Sequence, residues 1–153
     1  MSEHTSTAVA PDLQRMPGHG IRRLQQIAVA LFMQEMGEQE LTPVQFAVLQ
    51  ALEQQPGVDQ KTLAQMVSFD TSTIGAVIDR LEARQWLTRS LSAQDRRVRL
   101  LHLTRQGLEQ LQQAMPAVLR TQERILAPLT PSERAQFVQL LHQLCEGGRL
   151  QAQ

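Results

Sequence analysis

Arginine side chains supply the most conspicuous chemistry in this sequence. Arg89, Arg96, Arg97 and Arg99 fall within one short segment, and guanidinium groups bind phosphate oxygens through paired hydrogen bonds. A basic loop of this kind could follow the phosphate backbone of duplex DNA while one guanidinium enters a narrow minor groove. The alternative is a solvated hairpin whose arginines make only surface ion pairs.

Small hydroxylic residues precede these arginines. Thr71, Ser72 and Thr73 are consecutive and can hydrogen-bond to base edges or phosphates without a long side chain blocking close approach. Arg80 follows Thr73 by two helical turns, so it shares roughly the same helix face and could reach a phosphate. The hydroxyls alone could equally cap an ordinary helix. Their position ahead of an arginine-rich hairpin favours DNA.

A second polar cluster lies near the N-terminus. It comprises His19, Arg22, Arg23 and Gln26. Their spacing of i, i+3, i+4 and i+7 puts all four on or near one face of a helix. Arginine is suited to bidentate capture of a carboxylate, and histidine can bond to a ring hydroxyl or ring nitrogen. The alternative is that the two arginines make salt bridges between subunits.

The net charge of the 153 residues is zero, which by itself argues against a nucleic-acid partner. Residues 1–58, however, carry three basic and six acidic side chains, whereas residues 59–107 carry eight basic and five acidic ones. The zero is therefore a sum of opposed regions. The basic excess coincides with the hydroxylic helix start and the arginine-rich hairpin.

Several classes of protein are excluded by what the sequence lacks. Only 3% of residues are aromatic, and β-branched residues are sparse, so an all-β fold is not expected. No apolar run approaches the roughly 18 residues that cross a bilayer, and no secretory signal is recognisable. We therefore expect a cytoplasmic protein with no membrane partner.

Catalytic and metal-binding motifs are also missing. The sequence contains no GxSxG, HExxH or Walker glycine run, and its four histidines form no ligand-spaced motif. The single cysteine, Cys145, cannot form an internal disulfide. We predict that the protein is not an enzyme and binds no metal or cofactor.

The elements that must position these residues follow from caps and periodicity. Helix starts are predicted at Thr42, where Gln45 completes a capping box, and at Asp59, Asp70 and Thr104. Apolar residues recur at helical spacing between Pro17 and Gly37 and again in five further segments, while residues 86–89 and 97–103 have strand character with a polar loop between them. Two short helices followed by a hairpin indicate a winged helix-turn-helix. The predicted fold is therefore mainly α with a small β-hairpin wing and with dimerisation helices at both termini.

Three regions are expected on this basis. Residues 1–16 form a flexible N-terminal arm, residues 17–40 and 105–153 form a helical dimerisation region, and residues 41–104 form the DNA-binding lobe. The apolar stripes of the terminal helices cannot be buried on a small three-helix core, so they need a second copy. The predicted Gly147-Gly148 stop ends the last helix.

The DNA-binding lobe resembles that of MarR-type bacterial transcription regulators. The resemblance rests on LTPVQFAVL, on LAQMVSFDTSTIGAVIDRLEARQWLTR, and on Asp95-Arg96-Arg97 followed by LHLTRQG. It implies that Thr71, Ser72, Thr73 and Arg80 face the major groove or its phosphates. It further implies that Arg97 enters the minor groove with Asp95 holding its guanidinium, and that Arg89 and Arg96 are auxiliary phosphate contacts. Trp86 departs from the family pattern of a small turn residue.

The opening helix resembles that of MarR-type repressors of aromatic-acid breakdown. The resemblance implies an effector that is a small aromatic or heteroaromatic carboxylate, bound between the dimerisation helices and the DNA-binding lobe. The effector-binding residues would be His19, Arg22, Arg23 and Gln26, with Phe46 and Phe69 as pocket walls, although both rings could simply be core. The predicted function is a homodimeric repressor on a pseudo-palindromic double-stranded DNA operator. The alternatives are a regulator switched by oxidation of Cys145 and a helical module that binds proteins instead of DNA.

Overall fold

The computed structural model describes residues 12–151, with side chains described as far as residue 148. This part of the chain is mainly helical with a small antiparallel sheet, as predicted. The elements in chain order are α1 (Pro17–Met36), α2 (Pro43–Gln54), β1 (Val58–Asp59), α3 (Gln60–Met66), α4 (Thr71–Ala83), β2 (Leu87–Leu91), β3 (Arg99–Leu103), α5 (Arg105–Leu126) and α6 (Pro131–Gln151). Helices α3 and α4 form the helix-turn-helix, and β2, β3 and the intervening loop form the wing.

Side-chain caps define where the helices begin. Thr42 and Gln45 make the reciprocal hydrogen bonds of a capping box at the start of α2. Asp59, Asp70 and Thr104 each accept a backbone N–H from the first turn of α3, α4 and α5. All of these caps agree with the sequence-based prediction, because a cap depends on residues only two or three positions apart.

The sheet has one strand more than the predicted hairpin. Val58 and Asp59 of β1 pair with Leu101 and Leu100, giving the strand order β1-β3-β2. A two-residue strand has no periodicity of its own, so the sequence could not reveal it. The wing loop is also shifted relative to the prediction: β2 extends to Leu91, and Arg97 lies in the loop and not in β3.

The core of the DNA-binding lobe fills the space between α2, α3, α4 and the sheet. Its completely buried aliphatic side chains are Val48, Leu49, Leu52, Leu63, Ile74, Ile78, Leu81 and Leu87, with Leu101 almost as enclosed. Helix α1 packs along α5 and adds Phe32 and Met36 to the same core. The lobe is thereby joined to the two long helices by continuous apolar packing.

The wing and α5 meet at a glycine that no other residue could replace without a shift of backbone. A Cβ atom on Gly107 would lie 1.9 Å from the carbonyl oxygen of Trp86. The same turn is tied down by Thr104, whose backbone N–H donates to that oxygen over 3.1 Å and whose hydroxyl donates to the Gln85 carbonyl over 2.6 Å. Gln85 has a φ of 61°, which lets the chain turn sharply from α4 into β2.

Two expectations at the chain ends need correction. Residues 1–16 were expected to have no structure, yet Leu13–Arg15 form a 3₁₀ turn capped by Asp12; residues 1–11 of the predicted arm lie outside the described part. Gly147 and Gly148 do not end the last helix, since α6 continues to Gln151. Glycine makes a helix end possible but does not require one, and it costs only about 1 kcal/mol in a helix interior.

Helix α6 leaves an apolar surface uncovered. Every residue from 138 to 148 is exposed, including Val138, Leu140, Leu141 and Leu144, the last of them at 67%. Cys145 is exposed beside them. None of the described helices combines the length and the apolar character that a bilayer span needs.

Candidate DNA-binding and effector sites

The N-terminus of α4 presents the predicted hydroxylic surface. Thr71, Ser72 and Thr73 are all exposed. The Thr73 hydroxyl donates to Asp70 Oδ2 over 2.5 Å, and its backbone N–H donates to Asp70 Oδ1 over 2.8 Å. Both hydrogen bonds lower the pKa of the Asp70 carboxyl below its ordinary value, and the one from the Thr73 side chain has the larger effect. Thr73 can therefore only accept a further hydrogen bond, whereas the hydroxyls of Thr71 and Ser72 can donate one.

Arg80 lies farther along α4 and is also exposed. Within the described part of the chain, no carboxylate pairs with its guanidinium. A free guanidinium on the helix that carries Thr71 is the arrangement expected of a phosphate contact.

At the wing tip Arg97 pairs with Asp95, as the resemblance to MarR-type regulators implied. Arg97 Nε and Nη2 lie 3.2 and 3.4 Å from the two carboxylate oxygens of Asp95, and the Arg97 backbone N–H donates to Asp95 Oδ1 over 3.0 Å. The Arg97 side chain is nevertheless 91% exposed. The hydrogen bonds from Arg97 lower the pKa of the Asp95 carboxyl, so the carboxylate stays ionised and fixes the guanidinium without covering it.

Ser92 shapes the loop that carries this pair. It is buried, and its hydroxyl oxygen accepts backbone N–H groups from Gln94 at 3.3 Å and Asp95 at 3.4 Å. Its own N–H donates to the Val98 carbonyl over 2.9 Å and closes the loop. Sequence analysis did not single out Ser92; the signal that could have found it is the known tendency of serine to bond the backbone two or three residues ahead.

Two further arginines of the wing face solvent. Arg96 and Arg99 are exposed, and neither has a carboxylate partner among the residues described here. The predicted auxiliary role of Arg96 is thus compatible with its position.

Arg89 does not fit its prediction as a phosphate contact. Its side chain is only 16% exposed, with Nη2 2.5 Å from Asp79 Oδ1 and Nη1 in a short hydrogen bond with Glu82. Burial disfavours the charged guanidinium, but the hydrogen bond to Asp79 and the charge of Glu82 outweigh that effect and raise the pKa of Arg89. Strand position alone did not reveal that two carboxylates of α4 face this residue.

A cavity of about 260 Å³ lies between α1, the start of α2 and α5. It lies where the two long helices meet the DNA-binding lobe. Its walls include Phe32 and Phe46, whose ring centroids are 6.2 Å apart, and its polar lining groups come from Gln25, Thr121 and Gln122. These three polar residues were missed, because α1 and α5 are brought together only by the fold.

The predicted effector cluster lies on α1 but outside the lining of this cavity. His19 Nδ1 and Arg22 Nη2 are 3.1 Å apart, and Arg23 Nη1 donates to Gln14 Oε1 over 2.9 Å. The other ring nitrogen of His19 is buried and has no hydrogen-bond partner among the described residues. Gln26 is exposed. His19 and Arg22 are therefore in contact, as their spacing on α1 predicted, but none of the four residues of the cluster lines the cavity.

Of the two predicted pocket walls, only Phe46 lines the cavity. Phe69 was placed wrongly: it lies in the turn before α4, 44% exposed, and does not line this cavity. It precedes the cap residue Asp70, where an apolar side chain commonly packs on the first helical turn.

The chain is similar to known proteins of one family. Residues 41–98 match the model of the MarR family. The transcriptional repressor NicR of Pseudomonas putida is 29% identical over 152 residues, covering 95% of this chain and 96% of NicR.

Two solved structures are similar over nearly their whole length. One is the regulator PcaV of Streptomyces coelicolor in complex with its natural ligand, which is 38% identical with a TM-score of 0.83 and covers 92% of this chain and 99% of PcaV. The other is BpsR of Bordetella bronchiseptica, whose DNA binding is regulated by 6-hydroxynicotinic acid. It is 31% identical with a TM-score of 0.85 and covers 90% of this chain and 98% of BpsR. With its winged helix-turn-helix and its exposed wing arginine, this chain belongs to the MarR family of DNA-binding transcriptional regulators.

Proposed function

We propose that the protein is a homodimeric repressor that binds a pseudo-palindromic operator and is released from it by a small aromatic or heteroaromatic carboxylate. The observation that carries the DNA-binding part is the Asp95–Arg97 pair, because it holds an exposed guanidinium at the wing tip. A fixed guanidinium loses little conformational entropy when it enters a narrow minor groove.

Dimerisation is supported by the apolar surface of α6. The exposed leucines of this helix, together with Leu119 of α5 and Ile21 of α1, would be costly to leave in water. Two copies related by a twofold axis would present two α4 helices to half-sites about 34 Å apart. An operator with twofold symmetry is the natural match.

The effector part rests on the cavity between α1, α2 and α5. At about 260 Å³ it lies just below the range of roughly 300–1,000 Å³ typical of ligand pockets and would suit a single ring. Phe32 and Phe46 offer faces for such a ring, and Gln25 and Gln122 offer hydrogen bonds. We propose that Arg22 or Arg23, nearer the start of α1, binds the carboxylate.

Release would follow from differential binding. A ligand that wedges α1 and α5 apart from α2 favours a dimer in which the two α4 helices no longer match adjacent major grooves. The relatives support this class of effector, since BpsR responds to 6-hydroxynicotinic acid and PcaV was crystallised with its natural ligand.

The DNA-binding part is tested by comparing Arg97→Ala with Arg105→Ala in operator titrations at several salt concentrations. We expect Arg97→Ala to weaken binding about tenfold and to lower the salt slope by about one. Arg105 is the matched control, because it is equally exposed but lies beyond the base of the hairpin, at the far end of β3 from the tip. Equal effects of the two variants would contradict the proposed role of Arg97.

The effector part is tested by adding 6-hydroxynicotinic acid or hydroxybenzoic acids to the operator complex, with the corresponding amides as uncharged controls. We expect the acids to release the protein and the amides to be far weaker. Ala28→Leu should fill the cavity and abolish release while leaving operator affinity intact, and Arg23→Ala should weaken the response to acids. Undiminished release from both variants would contradict the proposed site.

A further inference from the structure

The ion pairs of Arg89 point to a role that differs from a direct DNA contact. We infer that Arg89 is a positioning residue, which fixes the wing relative to α4 so that Arg97 and the α4 surface meet the DNA together. The inference goes beyond the proposed function, although one of its readouts uses the proposed contact of Arg97.

The geometry is that of a bridge between two elements. Arg89 is the central residue of β2, opposite Leu101 of β3. Its guanidinium reaches across to Asp79 and Glu82, which lie three residues apart on one face of α4. One side chain of the wing thus contacts two residues of α4 that lie about one helical turn apart.

The position of Arg89 in the strand explains why it needs both carboxylates. Side chains of β2 alternate, so Arg89 points to the same side as Leu87, which is completely buried. A guanidinium on an inward-facing position loses much of its hydration, a cost that only well-placed opposite charges offset. Asp79 and Glu82 remain more exposed than Arg89, so they can meet it without being buried themselves.

A rotation at this point would be amplified at the tip of the wing. At about 3.3 Å per strand residue, the loop that begins at Ser92 is roughly 10 Å from Arg89. A tilt of about 20° at Arg89 would move the start of the loop by about 3.5 Å, which is more than the length of a hydrogen bond. Arg97 lies still farther out, so its placement depends on the bridge.

The bridge also has an electrostatic effect on α4. Asp79 and Glu82 flank Arg80, the exposed arginine expected to meet a phosphate. Two unpaired carboxylates next to that arginine would repel the DNA backbone. Because Arg89 neutralises Asp79 and Glu82, these carboxylates do not offset the positive charge of Arg80.

A double-mutant cycle between Arg89 and Arg97 tests the inference. Operator affinity would be measured for the wild type, Arg89→Met, Arg97→Ala and the double variant. If Arg89 positions the wing, Arg97→Ala costs at least about threefold less in the Arg89→Met background than in the wild type. If Arg89 is an independent phosphate contact, the two effects multiply and the inference is overturned.

Arg89→Lys supplies a readout that does not depend on Arg97. Lysine keeps the positive charge but lacks the planar fork that reaches two carboxylates. Positioning therefore predicts that Arg89→Lys binds the operator nearly as weakly as Arg89→Met. Recovery of wild-type affinity by Arg89→Lys would overturn the inference.

A second pair of substitutions breaks the same ion pairs from the side of α4 and controls for a loss of folding in the Arg89 variants. Asp79→Asn with Glu82→Gln keeps the size of both partners and leaves Arg89 intact. Positioning predicts the same reduced cost of Arg97→Ala in this background. A phosphate-binding Arg89 would instead be freed from its competitors, and Arg97→Ala would keep its full cost, which would overturn the inference. Stoichiometric titration of each variant fixes its DNA-competent fraction, so that a merely unstable protein is not mistaken for a mispositioned wing.

Discussion

The DNA-binding lobe and the long helices α1 and α5 use arginine in opposite ways. In the lobe, Arg80 and Arg97 project into solvent, and the only carboxylate that contacts Arg97 within the described chain is two residues away. Between the helices, Arg120 and Arg124 of α5 both bind Glu35 of α1, over 2.7 and 2.9 Å. Glu35 is only 17% exposed.

The difference separates arginines that remain available to a ligand from arginines that hold two elements of the fold together. A side chain that pairs locally is kept in one orientation but stays available to a phosphate. A side chain that pairs across the fold has its charge compensated and contributes to the packing of two elements. Arg89, although it belongs to the lobe, is of the second kind, which is why its sequence neighbourhood gave a misleading prediction.

The largest effect on stability is expected at Gly107, where the wing of the DNA-binding lobe meets the long helix α5. Gly107→Ala would force a Cβ atom into the Trp86 carbonyl oxygen, and either the wing or α5 must move. We expect a loss of about 3 kcal/mol in the free energy of unfolding, measured by chemical denaturation. Gly20→Ala is the matched control, because its Cβ would meet nothing within 4 Å and the change should stabilise α1 by about 0.5–1 kcal/mol. Equal stability of the two variants would mean that the junction is not rigid.

The caps and the wing motif show how far the sequence alone could predict this molecule. Asp70 with Thr73, and Asp95 with Arg97, are pairs only two or three residues apart, so their geometry follows from local conformation. The cavity walls could not be predicted in the same way. Gln25 and Gln122 are far apart in the chain, and they meet only because α1 packs on α5.

The effector cluster on α1 illustrates the intermediate case. Helical periodicity put His19, Arg22, Arg23 and Gln26 on one face, and the contact between His19 and Arg22 agrees with that. Periodicity does not say what lies opposite a face. The distance of this cluster from the cavity therefore had to come from the tertiary structure, as did the exposure of Phe69.

A smaller effect is expected at the second contact between the two regions. Arg84, which caps the end of α4, donates to the Glu40 carbonyl over 2.8 Å and lies 4.9 Å from the centre of the Trp86 ring. Arg84→Met should lower the free energy of unfolding by about 1 kcal/mol and shift the fluorescence of Trp86, the only tryptophan.

Glu40→Gln is the control for Arg84→Met. It removes the ion pair with Arg84 but keeps the ring contact and the carbonyl acceptor, and a surface ion pair contributes about 0–1 kcal/mol. We expect it to leave Trp86 fluorescence unchanged. If Glu40→Gln has the full effect of Arg84→Met, the charge pair with Glu40 and not the contact with the Trp86 ring accounts for the contribution of Arg84.

The smallest effect concerns pH and the Glu35 contacts. The hydrogen bond from Arg120, followed by that from Arg124, lowers the pKa of Glu35 below its ordinary value of 4.5. A carboxyl whose pKa is lower in the folded state stabilises the fold above its unfolded pKa, and that contribution is lost as the pH falls through the folded pKa. The difference in unfolding midpoint between the wild type and Glu35→Gln should therefore be constant near neutral pH and shrink below about pH 4.5.

Glu38→Gln separates the Glu35 contacts from a general effect of charge. Glu38 is exposed just beyond the end of α1 and makes no ion pair with the described residues, so its replacement removes one negative charge without breaking a contact between α1 and α5, and the Glu35→Gln difference is judged against it. A Glu35→Gln difference that stays the same as the pH is lowered below 4.5 would show that the charge of Glu35 does not stabilise the packing of α1 on α5. In that case the half-buried Glu35 carboxylate would differ from the solvent-facing arginines of the lobe in position only, because it would add nothing that depends on its charge.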